Sequence, residues 1–233
     1  GSTDAALNLI CAAHYAVSDI AEVAIVGHKD LNDTTCIAMP GTKTRKMHTS
    51  RRDTFKVIND EPIAEITKDK IKILKNFNAR DNQRQVKLDA KYTDKIAIVQ
   101  IYPGQNPDIL DFYAKEGYKG IVLELTGLGH VPSKESKENW LPTIKKTIQK
   151  GITIVGTAQT IYGKLNLNVY SAGRELQDTG IISLKDMLSE TAFVKLSWIL
   201  GHSTWAKDKE KIKEKLLENI SGEFNDKLGF EDF

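Results

Sequence analysis

The spacing of apolar residues changes several times along the chain, and each change marks an element. From Thr3 to about Ile20, alanines and leucines recur at helical spacing, with Thr3-Asp4 placed as an N-cap. Ser18-Asp19 followed by Glu22 to Gly27 reads as helix end, turn and strand. Thr34 to Met39 reads as a second strand closed by Pro40-Gly41. Between Ile66 and Lys95 the texture shifts to charged residues interleaved with isolated apolar ones, as in Lys70-Ile71-Lys72-Ile73-Leu74 and Gln85-Val86-Lys87-Leu88. Such alternation suits exposed hairpin strands in a linker. A nucleic-acid patch is the sharper reading, but the stretch lacks the interleaved aromatics such a surface uses.

Past Lys95 the apolar runs become nearly continuous. Ile96 to Tyr102, Lys119 to Leu125 and Ile152 to Val155 each read as a strand buried on both faces. Helical patterns separate them, one opened by Asn106-Pro107-Asp108 and running to Gly117, the other passing through Trp140 and Ile148. This order predicts right-handed crossovers and a parallel sheet, hence an α/β fold. Leu165, Leu167 and Val169 alternate with polar residues as a strand with a solvated face would. Ser183-Leu184-Lys185-Asp186 has capping-box spacing, Thr191 to Leu200 carries an apolar stripe, and Lys207 to Ile220 reads as an amphipathic helix. His202 and Trp205 fall in the connection between the last two.

At 233 residues the chain has room for about one or two domains with a proper core. Its net charge of +2 gives no electrostatic case for a surface that coats nucleic acid. Cys11 and Cys36 are the only cysteines, and neither has a partner at metal-ligand spacing, which fits a reducing compartment. Cys11 lies in an apolar run and reads as a small buried hydrophobe. No apolar stretch approaches the roughly 20 residues of a spanning helix and no signal-peptide pattern opens the chain, so a cytoplasmic protein without membrane contact is expected. Gly1-Ser2 in place of an initiator Met reads as a cloning scar or as a truncated chain.

Two segments carry candidate chemistry. Arg45 to Phe55 is dense in nitrogen and hydroxyl groups and follows the Thr35 to Met39 run, as a loop at a strand end would. Lys46 within it reads either as part of a solvated basic turn or as a partly desolvated ammonium near a carboxylate, able to act in proton transfer. Thr126-Gly127-Leu128-Gly129-His130 follows a strand and precedes a helix, so its glycines allow backbone to approach a ligand or a neighbouring chain. It is not a dinucleotide fingerprint, because the third glycine and the acidic residue after the next strand are missing. The sequence also holds no P-loop, no serine elbow, and no zinc spacing among His14, His28, His48, His130 and His202.

The blocks Ser2 to Leu9, Gly41 to Phe55, Gly120 to Glu124 with Thr126 to Pro132, and Asn166 to Ser171 with Gly173-Arg174, in this order, closely resemble the second half of the D-subunit family of archaeal glutamyl-tRNA(Gln) amidotransferases, within the type I L-asparaginase superfamily. The resemblance implies an asparaginase-like architecture: 1–65 as the remaining part of a larger N-terminal catalytic domain, 66–94 as a charged connector, and 95–233 as a complete smaller α/β domain. It implies hydrolysis of the glutamine amide, or less favourably that of asparagine, with release of ammonia. In that family a threonine attacks the side-chain carbonyl, and a second threonine, an aspartate and a lysine handle the protons. Lys46 matches the lysine. The resemblance further implies a homodimer, and a heterotetramer with the amidotransferase E subunit, which uses ATP and Mg to activate the glutamate of Glu-tRNA(Gln). The chain itself would bind no cofactor or metal and would meet tRNA through that partner. Gly129, His130, Asn166 and Asn168 would then line a substrate site across a dimer interface, although a helix-entry turn and a solvated strand face account for the same residues.

Departures from the family pattern carry an expectation of their own. Its Thr-Gly-Gly-Thr-Ile and Gly-Thr-Asp-Thr segments are absent, and Thr3-Asp4 and Thr93-Asp94 lack the glycine context. Leu125 stands where the family usually has a small glycine. The chain by itself is therefore expected to lack amidohydrolase activity. The rival readings are a stand-alone type I L-asparaginase, which needs no tRNA, and a non-catalytic fragment that dimerises or docks a partner.

Overall fold

The computed structural model describes residues 3–225 and divides the chain into two units between Leu88 and Asp89. Gly1-Ser2 and 226–233, including the end of the expected 95–233 domain, lie outside the described residues.

In the first unit, helix α1 (Ala5–Ala16) buries Leu7, Cys11 and Tyr15, which its four-residue spacing places on one face. Asp4 makes no capping bond; its carboxylate accepts from Asn8 Nδ2 at 3.0 Å, and Thr3 Oγ1 accepts from the Ala5 amide instead. The strands are β1 (Ala24–His28), β2 (Cys36–Pro40), β3 (Thr44–Lys46), β4 (Phe55–Val57), β5 (Ala64–Ile66) and β6 (Ile71–Ile73). Four of them form an antiparallel sheet of order β1-β2-β5-β6, and β3 pairs with β4 as a separate hairpin. The core under α1 joins Leu7, Cys11 and Tyr15 to Cys36, Ala38, Ile63 and Ile66. There burial pushes the Cys36 thiol up to about 12. Strand β6 falls inside the stretch read as a charged connector. It is the outer strand of this sheet, Ile66 lying opposite Ile71, and Ile71 and Phe77 pack against the core.

The second unit runs β7 (Ile96–Gln100), α2 (Ile109–Lys115), β8 (Gly120–Leu125), α3 (Leu141–Gln149), β9 (Thr153–Ala158), α4 (Ser171–Gln177), β10 (Ile182–Ser183), α5 (Ser189–Gly201) and α6 (Lys209–Leu217). Its strands form one parallel sheet of order β10-β9-β8-β7, flanked by helices as the doubly apolar runs predicted. One face is covered by a core containing Leu110, Trp140, Ile144 and Leu176, the other by Leu196, Ile199, Leu200, Ile212 and Leu216. Trp140 is fully buried and donates its indole N–H to the Gln105 carbonyl at 3.1 Å. Lys195, on the inner face of α5, is buried against Glu223 at 2.9 Å, and Phe224 closes over the same core.

Three local expectations are corrected here. Ser183 does not cap a helix. Leu184 is fully buried and its amide bonds Gly156 O at 2.9 Å, which holds 182–184 extended, while α5 begins at Ser189 and buried Asp186 accepts from the Asn225 amide. Leu165 to Val169 is not a strand, because its amides are spent elsewhere: Leu165 N on Lys185 O, Asn166 N on Leu128 O, and Asn168 N on Asn166 Oδ1 in an Asx turn. The last amphipathic stretch splits into a 3-10 turn, Trp205–Lys207, and α6, whose start Asp208 caps by accepting from the Glu210 and Lys211 amides.

Candidate functional site

The Lys46 block is a loop built on the β3–β4 hairpin, where Lys46 pairs across the ladder with Phe55. Hydrogen bonds inside the loop fix its course. Met47 N donates to Thr54 O at 2.7 Å, the Thr54 hydroxyl donates to His48 O, and His48 Nδ1 accepts from the Ser50 and Arg51 amides at 3.1 Å. Asp53 is the one carboxylate between 45 and 56 and is only 6% exposed. Arg51 grips it with two N–H groups at 2.8 and 3.0 Å, and Lys56 donates to it at 2.9 Å. Arg51 first, and then Lys56, hold its carboxyl well below the usual range.

Behind the loop, His28 is buried at the end of β1. Its Nδ1 lies 2.7 Å from Asn8 Oδ1 on α1, and its Nε2 lies 2.9 Å from Asp33. Asn8 presents its oxygen here because its amide nitrogen is engaged by Asp4. The hydrogen bond from His28 lowers the Asp33 pKa, and the same carboxylate lies 3.7 Å from the Arg52 guanidinium. A chain of polar contacts thus runs from α1 through β1 to the loop that carries Lys46.

Lys46 itself is exposed, and its ammonium has no hydrogen-bond or ion-pair partner among the described residues. The partly desolvated ammonium beside a carboxylate is therefore corrected: the nearby carboxylate, Asp53, is engaged by Arg51 and Lys56 instead.

In the second unit the glycine segment closes as a tight turn at the end of β8. The Thr126 amide donates to His130 O at 3.1 Å, and the Gly129 and His130 amides both donate back to Thr126 O. Gly129 has φ +116°, and a Cβ there would overlap the Leu167 side chain, so the position needs glycine for both conformation and space. Asn166 N donates to Leu128 O at 2.9 Å, and the His130 and Tyr170 rings lie 5.4 Å apart at 60°. Asn166 and Asn168 are exposed, and Asn168 Oδ1 accepts from Gln177 at 2.9 Å. The structure thus brings Gly129, His130, Asn166 and Asn168 together on two braced loops of the second unit, while Lys46 belongs to the first. His28, Asp33 and Asp53 were not singled out in the sequence. For Asp53 a signal existed, a lone acid among Arg45, Lys46, Arg51, Arg52 and Lys56. His28 gave none, since its partners come from α1 and from a turn.

Among the described residues no group of three or more His, Cys, Asp or Glu is arranged to hold a metal ion, and no helix is long and apolar enough to cross a membrane.

Two family models match the chain: "Asparaginase, N-terminal" over residues 1–79 and "Glutaminase/Asparaginase C-terminal domain" over residues 95–216. Among curated proteins, the D subunit of glutamyl-tRNA(Gln) amidotransferase from Thermococcus kodakarensis is 47% identical over 233 residues, covering 100% of this chain and 51% of that protein. The Pyrococcus furiosus protein of the same name is 48% identical over 223 residues, covering 95% of this chain and 49% of its own length. The chain spans about half the length of the curated relatives it matches. Among solved structures, the thermostable L-asparaginase of Thermococcus kodakarensis superposes with a TM-score of 0.82 at 28% identity, covering 97% of this chain and 64% of that one. An α/β chain with this loop geometry, matched by both models and similar throughout to archaeal amidotransferase D subunits, belongs to the glutaminase/asparaginase family.

Proposed function

We propose that this chain carries the proton-handling part of an amidohydrolase site that releases ammonia from the side-chain amide of glutamine, or less favourably of asparagine, within a tRNA-dependent amidotransferase. The observation that carries this reading is the unpartnered ammonium of Lys46 on a loop whose neighbouring charges are tied off. A hydroxyl nucleophile is weak until a positioned group takes its proton. As the neutral amine, a lysine on a loop braced by the Asp53 cluster and by the His28–Asp33 contact can take the proton of such a hydroxyl, and as the resulting ammonium it can pass that proton to the departing amide nitrogen. In this reading the acyl-accepting threonine lies outside the chain's own motifs, so the chain by itself is inactive. The four loop residues of the second unit, Gly129, His130, Asn166 and Asn168, shape the amide-binding side of a neighbouring copy's site. The partner is the amidotransferase E subunit, which consumes ATP and Mg, passes the ammonia to Glu-tRNA(Gln), and completes a heterotetramer around a homodimer of this chain. The setting is the cytoplasm.

The test is ammonia release from glutamine and asparagine. The 233-residue chain is expected to release none. In a polypeptide joining it to the Thr-Gly-Gly-Thr-Ile and Gly-Thr-Asp-Thr segments, Lys46→Ala is expected to lower kcat by about 10²–10⁴-fold. Activity of the 233-residue chain that Lys46→Ala abolishes would refute the division of labour, and an unchanged kcat in the joined polypeptide would remove Lys46 from the reaction. The likeness to a free L-asparaginase supports a second reading, an asparaginase acting without tRNA. Ammonia release that is faster with asparagine and indifferent to the E subunit and to Glu-tRNA(Gln) would favour it.

A further inference from the structure

A groove of about 850 Å³ runs along the open edge of the parallel sheet in the second unit, from Gly151 and Ile152 before β9 to the Leu165–Asn168 loop beyond β10. It exists because the edge strand is short. β10 pairs with β9 only at Val155 and Gly156, two residues against the six of β9. Apolar side chains reach it from both layers, Ile152 and Ile181 from one side and Ile212 and Leu217 from the other. Its rim is basic. Lys207, Lys209 and Lys213 line it, are exposed, and have no ion-pair partner among the described residues, whereas Lys211 and Lys215 on α6 are consumed by Glu214 and Glu218. Glu210 is the one acidic residue on the lining.

We propose that this groove binds an extended segment of a protein partner, alternating acidic and apolar residues, which adds a strand to the sheet beside β10. An extended chain satisfies the outward backbone groups of an edge strand and places alternate side chains on opposite faces. Here those faces are the isoleucine floor and the lysine rim. The segment would pair with the backbone groups of Ile181 and Ser183, which face away from β9 because Leu184 N turns inward to Gly156 O. Short edge strands and lysines also serve to repel unwanted pairing. The free lysines sit beside an apolar trough rather than on the strand itself, which favours a docking role.

The test uses the full chain and a short fluorescein-labelled peptide of alternating Glu and Val, followed by fluorescence anisotropy. Saturable binding is expected, weakened about tenfold by Lys209→Glu with Lys213→Glu and lost when alternate peptide amides are N-methylated. Hydrogen exchange at the Ile181 and Ser183 amides is expected to slow on binding. Equal affinity for a Lys-Val peptide, tighter binding of single-stranded oligouridylate, or affinity that survives N-methylation would each overturn the proposal. So would self-association of the chain that the peptide does not displace, or no binding at all, which would leave the lysines as guards of the edge. None of these readouts depends on ammonia release.

Discussion

Replacing Gly129 by alanine probes the bracing of the two loops directly. The residue sits at φ +116°, where an L side chain costs about 1–3 kcal/mol in backbone strain. The new methyl would also overlap Leu167 Cδ2 and lie 3.2 Å from its Cγ. Leu167 is only 5% exposed and belongs to the core under Trp140, so it cannot swing aside freely; overpacking of this kind costs about 1–3 kcal/mol more. The sum, about 2–6 kcal/mol, corresponds to a fall in the Tm of the second unit of roughly 6–20 °C. Gly104→Ala is the control. Its φ of +80° imposes strain, but nothing lies within 4 Å of the added methyl, so about 1–2 kcal/mol is expected. Urea unfolding followed by tryptophan fluorescence reads both. Leu167→Ala should cost less by about 1–3 kcal/mol in the Gly129→Ala background than in the wild type, because the overlap is then relieved. Equal losses for the two glycine variants, together with additivity within about 0.5 kcal/mol in the Leu167 cycle, would refute the close approach of the loops.

Other outcomes follow from the buried and paired groups. Lys195→Met leaves the Glu223 carboxylate uncompensated in the core and is expected to cost about 3–5 kcal/mol in urea unfolding, much of it recovered by adding Glu223→Leu. Asp111 is held down to about 2 by Lys150 and then by Lys146. Since its folded value lies below its unfolded one, its stabilisation is complete above about pH 4 and is lost as pH falls toward 2. The difference in urea midpoint between wild type and Asp111→Asn should therefore shrink across that window and vanish only below about pH 2, and a gap that stays the same between about pH 4 and pH 2 would contradict it. Cys36, fully buried with its thiol pushed up to about 12, is expected to stay unmodified by a thiol reagent at pH 8 in the folded chain and to react at once in guanidinium. Fast labelling of the native protein would show that the α1 packing opens.

Long-range burial explains which parts of the fold were legible. The strands β7, β8 and β9 are apolar on both faces, so each run announces itself whatever its neighbours are. Residues 165–169 carried the alternation of a half-buried strand for another reason: Leu165 and Leu167 do point inward, but toward the glycine turn rather than from a sheet. Period reports burial, and only hydrogen-bond partners report a strand. The strand character of β6 was legible in its alternation, but Lys70 and Lys72 made it read as part of a linker, whereas it completes the sheet beside β5 with Ile71 against the core. At the candidate site the Lys46 loop was visible as composition, yet its electrostatics were not. Which of five cations takes Asp53 depends on hairpin register, and the answer leaves Lys46 over. Lys195 carried no signal within the apolar stripe of Thr191 to Leu200, because the acid that balances it comes 28 positions later, at Glu223.

The glycine turn and the 165–170 segment share a hydrogen bond from Asn166 to Leu128 and a leucine wedged beneath Gly129. They are in effect a single cassette. Transplanting either loop alone onto a related scaffold should give a misfitted surface, whereas moving the pair together preserves the contour.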